Sequence, residues 1–219
     1  MERRPLDITF VSDVACPWCA IGLASIDRAL ARLGDAVAAT IHVEPFELNP
    51  DMPPEGAEVA EYVAIKYGRT PEQLAQVQAR IRERGAAVGF AFGERKHVWN
   101  TFNAHRLLHW AGREQRALEL KRALLWAYHG EGRNPGSPEV LADVADAVGL
   151  DRTRAASIAQ GSEFGPEVRQ RERYWLQRGV SGVPYVVVND AYVIEGAHPP
   201  EAFEQAFRQI ALSVTASRT

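Results

Sequence analysis

Two cysteines, Cys16 and Cys19, lie three positions apart in the stretch CPWC, and the chain contains no others. A Cys-X-X-Cys pair can pass between a dithiol and a disulfide, with the thiolate of one sulfur as the nucleophile. A strand-like run, DITFVSD, precedes the pair, and apolar residues at helical spacing follow it. Cys16 is therefore predicted at the N-cap of a helix, with Pro17 at the first helical position, where a missing N–H costs nothing.

The helix start makes Cys16 the sulfur that we expect to be more exposed and more reactive. The helix dipole and its unpaired N–H groups stabilise a thiolate there. Motifs of this kind lower the pKa of the nucleophile from about 8.5 to between roughly 3.5 and 7. Trp18 adds no positive charge, so the lowering is predicted to be modest. Because Trp18 is next to the nucleophile, it is also expected to contact the substrate.

The same pair is half of a zinc site, but a structural zinc site needs four ligands and the chain has no second pair. His105 and His109 lie one helical turn apart, yet a metal site there needs a third ligand, and no HExxH-type base accompanies them. We predict no metal and no resident cofactor, and glutathione remains open as a co-substrate. An inert cysteine pair is the other alternative.

The composition excludes several classes of partner. With 219 residues, of which 46% are hydrophobic and 24% charged, the chain is predicted to fold as a globular protein. A formal net charge of -3 offers no concentrated basic face, so neither nucleic acid nor an anionic membrane is expected as a partner.

The N-terminal stretch MERRPLDITFVSD lacks the uninterrupted apolar run of a signal peptide, and no apolar run long enough to span a bilayer follows. We therefore expect a cytoplasmic protein. In that reducing setting, a lone cysteine pair is more often catalytic, redox-sensing or metal-binding than a structural disulfide.

The predicted strands lie near the two ends of the chain, and a long helical stretch separates them. After the first strand and helix, ATIHVEPFEL indicates a second strand, and the loop NPDMPPEG ends it. Residues 57–178 carry helical periodicity with caps at Thr70 and Ser137, which predicts roughly six helices. The stretches VPYVVVN and AYVIEG then indicate a hairpin around Asn189-Asp190, and a final helix follows. The prediction is one domain made of 1–56 and 179–219, interrupted by an inserted helical domain.

Pro184 follows Val183 where this hairpin begins, in SGVPYVVVN. Proline removes a donor from a strand, so the strand is expected to start just after it. From the local sequence a trans bond is more frequent, since about 5–6% of X-Pro bonds are cis. A cis bond opposite the cysteines would keep metal chemistry away from the sulfur and leave the backbone of Val183 free to pair with an extended thiol substrate.

Four separated segments carry a family resemblance: CPWC after a strand, PFELNPDMPPEG, NTFNAHRLLHWA and GVPYVVVNDAYVIEGAHPPEAFEQAF. In this order they resemble the DsbA-like thioredoxin family, specifically its FrnE-type branch of dithiol oxidoreductases. The resemblance implies an α/β protein with a thioredoxin fold and a large all-helical insertion between the second strand and the C-terminal hairpin. It also implies a cis Pro184, Cys16 as nucleophile and Cys19 as resolving thiol.

The resemblance also implies candidate substrate-binding residues in a groove between the two domains. These are Asn100, Asn103, His105 and Arg106 in the stretch NTFNAHRLLHWA. For all of them a purely structural role stays open. Resolution further needs a proton acceptor for the buried Cys19, and a carboxylate near the sheet commonly serves. The sequence does not choose among Asp13, Glu44 and Glu47.

The predicted function is that of a thiol:disulfide oxidoreductase, active as a monomer or homodimer on a thiol or disulfide substrate that is a protein, a peptide or glutathione-like. The alternative is a glutathione-dependent isomerase or transferase, because this branch is similar to 2-hydroxychromene-2-carboxylate isomerases and kappa-class glutathione transferases. Those relatives usually have serine at the position of Cys16, so the presence of both cysteines favours the redox branch. A third interpretation is a metal-binding or redox-regulated structural element in a binding protein.

Overall fold

The computed structural model describes residues 4–216 of the chain. Its helices and strands, in chain order, are β1 (Arg4–Ser12), α1 (Pro17–Leu33), β2 (Val37–Pro45), β3 (Ala57–Glu58), α2 (Val59–Tyr67), α3 (Pro71–Ala87), β4 (His97–Val98), α4 (Phe102–Arg113), α5 (Ala117–His129), α6 (Pro138–Ala147), α7 (Arg152–Gln160), α8 (Gly165–Gln177), β5 (Tyr185–Val188), β6 (Tyr192–Glu195) and α9 (Pro200–Ala216).

Strand β1 lies at the centre of a four-stranded sheet with the order β2-β1-β5-β6. It runs parallel to β2 and antiparallel to β5, which is in turn antiparallel to β6. Leu6, Ile8 and Phe10 alternate along β1 and are buried, as the alternating sequence predicts for a strand with a core-facing side. The hairpin turn is confirmed: Asn189 and Asp190 both have positive φ, as a type I′ turn requires.

Helices α1 and α9 pack together and cover the sheet. Phe203 and Phe207 of α9 are fully buried in the same core cluster as Ile26 of α1 and Phe10 of β1. Helix α1 ends before Gly34, whose φ of 50° glycine adopts at no steric cost. Helix α1 begins shortly after the carboxyl end of β1, and the cysteines lie at this start.

The segment between β2 and β5 carries seven helices in the described part of the chain, α2 to α8. The predicted caps are confirmed, since the side chains of Thr70 and Ser137 accept hydrogen bonds from the N–H groups of Gln73 and Val140. The segment also holds a two-residue antiparallel ladder between β3 and β4, which the helical periodicity does not predict. The exact domain boundaries stay a prediction.

Two hydrophobic cores meet beside the cysteines. The core of the helical segment includes Leu107, Leu124 and Leu141, but Val14 and Ala15, which precede Cys16, belong to it as well. Conversely, Leu125 of α5 belongs to the sheet core that contains both cysteines. The helical segment therefore positions the dithiol directly.

Among residues 4–216, no helix has the combination of length and apolarity that crossing a membrane requires.

Candidate functional site

The cysteines occupy the N-terminus of α1 as the sequence predicts. Cys16 is the N-cap, with extended backbone angles of φ -88° and ψ 113°, and Pro17 begins the helix. The backbone N–H of Cys19 donates to the carbonyl of Cys16 over 3.1 Å, which closes the first turn. Both are free thiols and both are buried, with Cys16 3% exposed and Cys19 0% exposed. Cys16 is the more accessible sulfur by a small margin.

The two thiols have opposite acidities. A hydrogen bond from the Cys19 thiol lowers the pKa of Cys16, against the effect of burial, and the N–H groups of Cys19 and Trp18 at the helix start lower it further. Burial raises the pKa of Cys19 well above its usual range, and the hydrogen bond to Cys16 and the charge of Cys16 add to this. The arrangement therefore favours one nucleophilic thiolate and keeps the second sulfur protonated.

Val183 and Pro184 face the nucleophile from the start of β5. The Val183–Pro184 peptide bond is cis, as the resemblance implies. The carbonyl oxygen of Val183 lies 3.4 Å from the sulfur of Cys16 and accepts its thiol hydrogen bond. Val183 stands outside the β5 ladders, which begin at Tyr185. Helix α1 approaches closely because Gly22 faces the ring of Pro184, whose Cγ would be 3.0 Å from a Cβ at this position.

Asp13 is fully buried and is used as a hydrogen-bond acceptor. It accepts from the N–H of Ala15 over 3.0 Å, from the N–H of Leu48 over 2.8 Å and from the hydroxyl of Thr101 over 2.8 Å. The Nε2 of His105 lies 3.4 Å from the same carboxylate. Burial raises the pKa of Asp13, but His105 and the backbone donors outweigh it and hold the pKa at about 2. Asp13 thus ties the motif to α4 and the loop after β2.

A lysine that the sequence analysis missed lies beneath the cysteines. Lys121 of α5 is 0% exposed, and its Nζ donates to the carbonyl of Ser12 over 3.4 Å. Burial lowers the pKa of Lys121, while the negative charges of Cys19, Asp13 and Cys16 raise it. The signal in the sequence is its spacing, because Lys121 falls between Leu118 and Leu125 on the face of α5 that packs against the sheet core.

Two further side chains of the helical segment hold the loop before Cys16. The buried His129 makes a 2.9 Å hydrogen bond to the carbonyl of Val14, and burial lowers its pKa to about 3, so that its ring is neutral. Arg95 donates to the carbonyl of Ala15 over 3.1 Å. The backbone that leads into Cys16 is therefore fixed by α5 and by the loop before β4.

A cavity of about 140 Å³ opens beside Pro17. Its lining combines charged, polar and apolar side chains, among them Gln78, Arg82, Phe92, Glu94, Arg95 and His129. Trp18 is half-buried and packs against the core cluster that contains both cysteines. The cavity therefore offers space next to the motif, but Trp18 is not among the residues that line it.

The residues predicted to line an inter-domain groove divide into two groups. His105 reaches the motif through Asp13, as described. Arg106 is 2% exposed and points away, donating to the carbonyls of Ile158, Ala159 and Glu163. Asn103 accepts from Arg106 over 2.8 Å. These contacts tie α4 to the end of α7 and do not bring Arg106 or Asn103 to the cysteines.

Asn100 connects two loops. Its side-chain amide donates to the carbonyl of Met52 over 2.9 Å, and its side-chain oxygen accepts from the N–H of Phe102. The structure therefore places Asn100 in the contact between the loop after β2 and the start of α4. A packing role accounts for its position.

The other two candidate carboxylates are engaged elsewhere. Glu44 accepts from Arg171 over 2.8 Å and from the indole of Trp175 over 3.1 Å. Glu47 pairs with Arg169, which also binds Glu172 over 2.8 Å. Burial, and then the charge of Glu172, raise the pKa of Glu47 to about 8.

His105 and His109 do line one cavity, of about 100 Å³, behind the motif. His109 packs against the ring of Phe164, with a centroid distance of 5.4 Å. Within residues 4–216, no group of three or more His, Cys, Asp or Glu side chains is arranged to hold a metal ion.

Comparison with known proteins gives one family. The model of the DSBA-like thioredoxin domain matches residues 7–208, which is most of the chain. Among solved structures, the probable DsbA oxidoreductase SCO1869 from Streptomyces coelicolor is 32% identical, with a TM-score of 0.87 over 95% of this chain and 90% of that one.

Two more distant structures share the fold. A 2-hydroxychromene-2-carboxylate isomerase is 16% identical, with a TM-score of 0.71 over 97% of this chain and 99% of its own. The cytosolic disulfide reductase DsbM from Pseudomonas aeruginosa, solved with GSH, is 17% identical, with a TM-score of 0.65 over 94% of this chain and 99% of its own. At these identities the likeness concerns the fold.

Proposed function

Because the chain belongs to the DSBA-like thioredoxin domain family, we propose that it is a thiol:disulfide oxidoreductase with Cys16 as the nucleophile and Cys19 as the resolving thiol. The observation that carries the proposal is the opposite acidity of two adjacent free thiols at a helix N-terminus. The lowered pKa of Cys16 favours the attacking thiolate, and the raised pKa of Cys19 keeps that sulfur protonated until a mixed disulfide has formed.

The proposed reaction has two exchange steps. The Cys16 thiolate attacks a substrate disulfide R–S–S–R′, forms a Cys16–S–S–R bond and releases R′ as a thiolate. Cys19 then loses its proton and attacks the Cys16 sulfur, which releases R and leaves a Cys16–Cys19 disulfide. Two electrons pass from the dithiol to the substrate; the proton of Cys19 ends on one released thiolate, and solvent supplies the proton of the other. The reverse direction oxidises a dithiol substrate by the same steps.

The substrate is proposed to lie along Val183 and over Pro17. The Val183 backbone stands outside the sheet ladders beside the Cys16 sulfur, so an extended thiol peptide can pair with it. The neighbouring cavity carries Arg82 and Arg95, which suit a carboxylate of a small thiol such as glutathione. Trp18 supplies an apolar surface next to the sulfur. DsbM, solved with GSH, supports glutathione as the co-substrate. No resident cofactor is needed for this chemistry, and a reducing compartment such as the cytoplasm suits it.

Replacing Cys19 tests the proposal. With oxidised glutathione as the probe, the Cys19→Ser variant is expected to accumulate protein–glutathione mixed disulfide at Cys16, measured by mass spectrometry after acid quenching. The parent is expected to pass to the intramolecular disulfide, and the Cys16→Ser variant to form no adduct. Turnover that survives in Cys19→Ser without trapped adduct would favour the glutathione-dependent isomerase or transferase. An inert parent would favour a structural role for the pair.

A further inference from the structure

In the resolving step Cys19 must lose its proton, and none of the candidate carboxylates Asp13, Glu44 and Glu47 is well placed to assist this. Cys19 is fully buried, and its thiol must become a thiolate before it attacks. Asp13 already accepts hydrogen bonds from Ala15, Leu48 and Thr101, and its pKa of about 2 makes it a poor proton acceptor. Glu44 and Glu47 are paired with arginines of α8.

Lys121 is a fully buried charged group that interacts electrostatically with Cys19. It lies on α5 between Leu118 and Leu125, which both pack against the core cluster that includes Cys19. Its Nζ is within 3.4 Å of one protein acceptor, the carbonyl of Ser12. Ser12 ends β1, immediately before Asp13 and the motif. The amino group therefore enters the site from below, with most of its hydrogen-bonding capacity unused among the described residues.

We propose that the buried amino group of Lys121 stabilises the thiolate of Cys19 as it forms, so that the helical segment supplies the charge that the resolving step needs. This inference rests on the proposed oxidoreductase function. Lys121 acts through electrostatics across the core and is a positioning residue. A cation in this low-dielectric interior interacts more strongly with a nearby thiolate than it would in water.

The atoms balance within the site. Cys19 releases its proton as its sulfur attacks Cys16, the Cys16–S–S–R bond breaks, and the Cys16–Cys19 bond forms. The leaving thiolate of R takes up the proton, so that the products are the protein disulfide and RSH. Lys121 itself is not chemically changed. Its charge lowers the free energy of the Cys19 thiolate, which forms between the mixed disulfide and the protein disulfide.

The groups that face Lys121 are Asp13 from the loop after β1, Cys16 and Cys19 from α1, and His129 from its own helix. Burial lowers the pKa of Lys121, and the anionic groups raise it. His129 is neutral, because burial holds its pKa at about 3. Among these groups, the two thiols are therefore the ones whose charge changes during the exchange.

The Lys121→Met variant removes the charge and keeps the length of the side chain. It is expected to fold, because Lys121 forms no ion pair among residues 4–216 and the variant loses only its hydrogen bond to the carbonyl of Ser12. The Lys121→Arg variant retains a charge and serves as the rescue. Arg122→Met is the matched control, since Arg122 is the next residue on α5 and forms an exposed ion pair with Asp27.

The first readout is the titration of Cys19 itself, followed by thiolate absorbance in a Cys16→Ser background, which requires no turnover. Adding Lys121→Met is expected to raise the pKa of Cys19 by about one unit, the effect of about 1.4 kcal/mol of lost interaction. Adding Arg122→Met is expected to leave it unchanged. An unchanged pKa in the Lys121→Met protein, or an equal shift in the control, would overturn the inference whether or not the protein is an oxidoreductase.

The second readout is the decay of the glutathione adduct at Cys16 after rapid mixing with oxidised glutathione. A thiolate fraction lowered tenfold is partly offset by higher nucleophilicity, with a Brønsted coefficient of about 0.4–0.5, so decay at pH 7 slows about threefold. The midpoint of the pH profile moves up by about one unit, and Lys121→Arg restores it. A uniform slowing at all pH values indicates a structural role and contradicts the inference. A parent that forms no adduct contradicts the proposed function instead.

Discussion

The sulfur of Cys16 lies 3.4 Å from the carbonyl oxygen of Val183, a residue 167 positions later in the chain. This contact joins the start of α1 to the start of β5, so the nucleophile meets an unpaired strand end. Its consequence is a site in which one buried sulfur faces the place where an extended substrate can bind, while the second sulfur stays beneath it.

The two cysteines should differ in their reaction with an alkylating agent. Because the pKa of Cys16 is lowered and that of Cys19 is raised well above its usual range, iodoacetamide at pH 7 is expected to modify Cys16 first. Pulse labelling across a pH series, with peptide mass spectrometry, measures each site. Equal labelling of both sites, or faster labelling of Cys19, would contradict the assignment of roles.

Asp13 is predicted to stabilise the fold through its hydrogen bonds. In Asp13→Asn, an amide N–H₂ replaces one oxygen and leaves a buried donor without an acceptor, at a cost of about 1–3 kcal/mol. Urea unfolding at pH 7 measures the loss of unfolding free energy. The Asp27→Asn control, at an exposed ion pair, is expected to change it by less than about 1 kcal/mol.

The low pKa of Asp13 also predicts that the protein loses stability in acid. Its folded-state pKa of about 2 is below the ordinary value of 3.8, so its stabilising contribution is complete above pH 3.8 and is lost as the pH falls toward 2. As the pH is lowered from 5 to 2, the melting temperature of the parent should therefore fall more steeply than that of Asp13→Asn. Parallel profiles for the two proteins are the result that would refute this.

Glu47 predicts the opposite pH dependence. Burial and the charge of Glu172 raise its pKa from 4.5 to about 8, so the folded state retains a proton that the unfolded state loses. The contribution of Glu47 is present below pH 4.5 and is lost as the pH rises to about 8. The unfolding free energy of Glu47→Gln should fall less between pH 5 and pH 8.5 than that of the parent, as measured with urea. An equal fall in the two proteins would show that Glu47 is already ionised in the folded protein at pH 5.

Arg106 is predicted to matter for stability and not for exchange. Arg106→Met leaves the buried carbonyls of Ile158, Ala159 and Glu163 without their donor, and we expect a loss of at least about 2 kcal/mol of unfolding free energy. The folded fraction should keep the parent's rate of adduct decay. Arg116→Met, at an exposed pair with Glu119, is the control and should change neither quantity. If Arg106→Met instead lost disulfide exchange without losing stability, Arg106 would have to be a substrate-binding residue.

Local signals predicted the parts of the fold that local chemistry determines. The N-cap position of Cys16, the caps at Thr70 and Ser137 and the turn at Asn189-Asp190 each depend on a few neighbouring residues, and all four agree with the structure. Helices α2 and α7 were harder to predict individually, because each is nine residues long and has only two or three buried positions.

Long-range contacts account for what the sequence did not reveal. Lys121 reaches Ser12 across 109 positions and His129 reaches Val14 across 115. Spacing along the sequence places Lys121 on the core-facing side of its helix, but it does not show that either side chain lies close to the cysteines. The same holds for Arg106, which shares a helix with His105 but faces α7. Sequence spacing fixed the helix on which these side chains lie, and the packing of that helix decides which of them approach the dithiol.

Equilibration of the protein with glutathione redox buffers, with thiols and bound zinc quantified on the same sample, tests the redox role of the dithiol most directly. A reversible two-electron transition between free Cys16 and Cys19 and their disulfide is expected, with no bound zinc. A protein whose thiols never form this disulfide across the accessible range of potentials, or whose thiols are blocked by a metal, would contradict it.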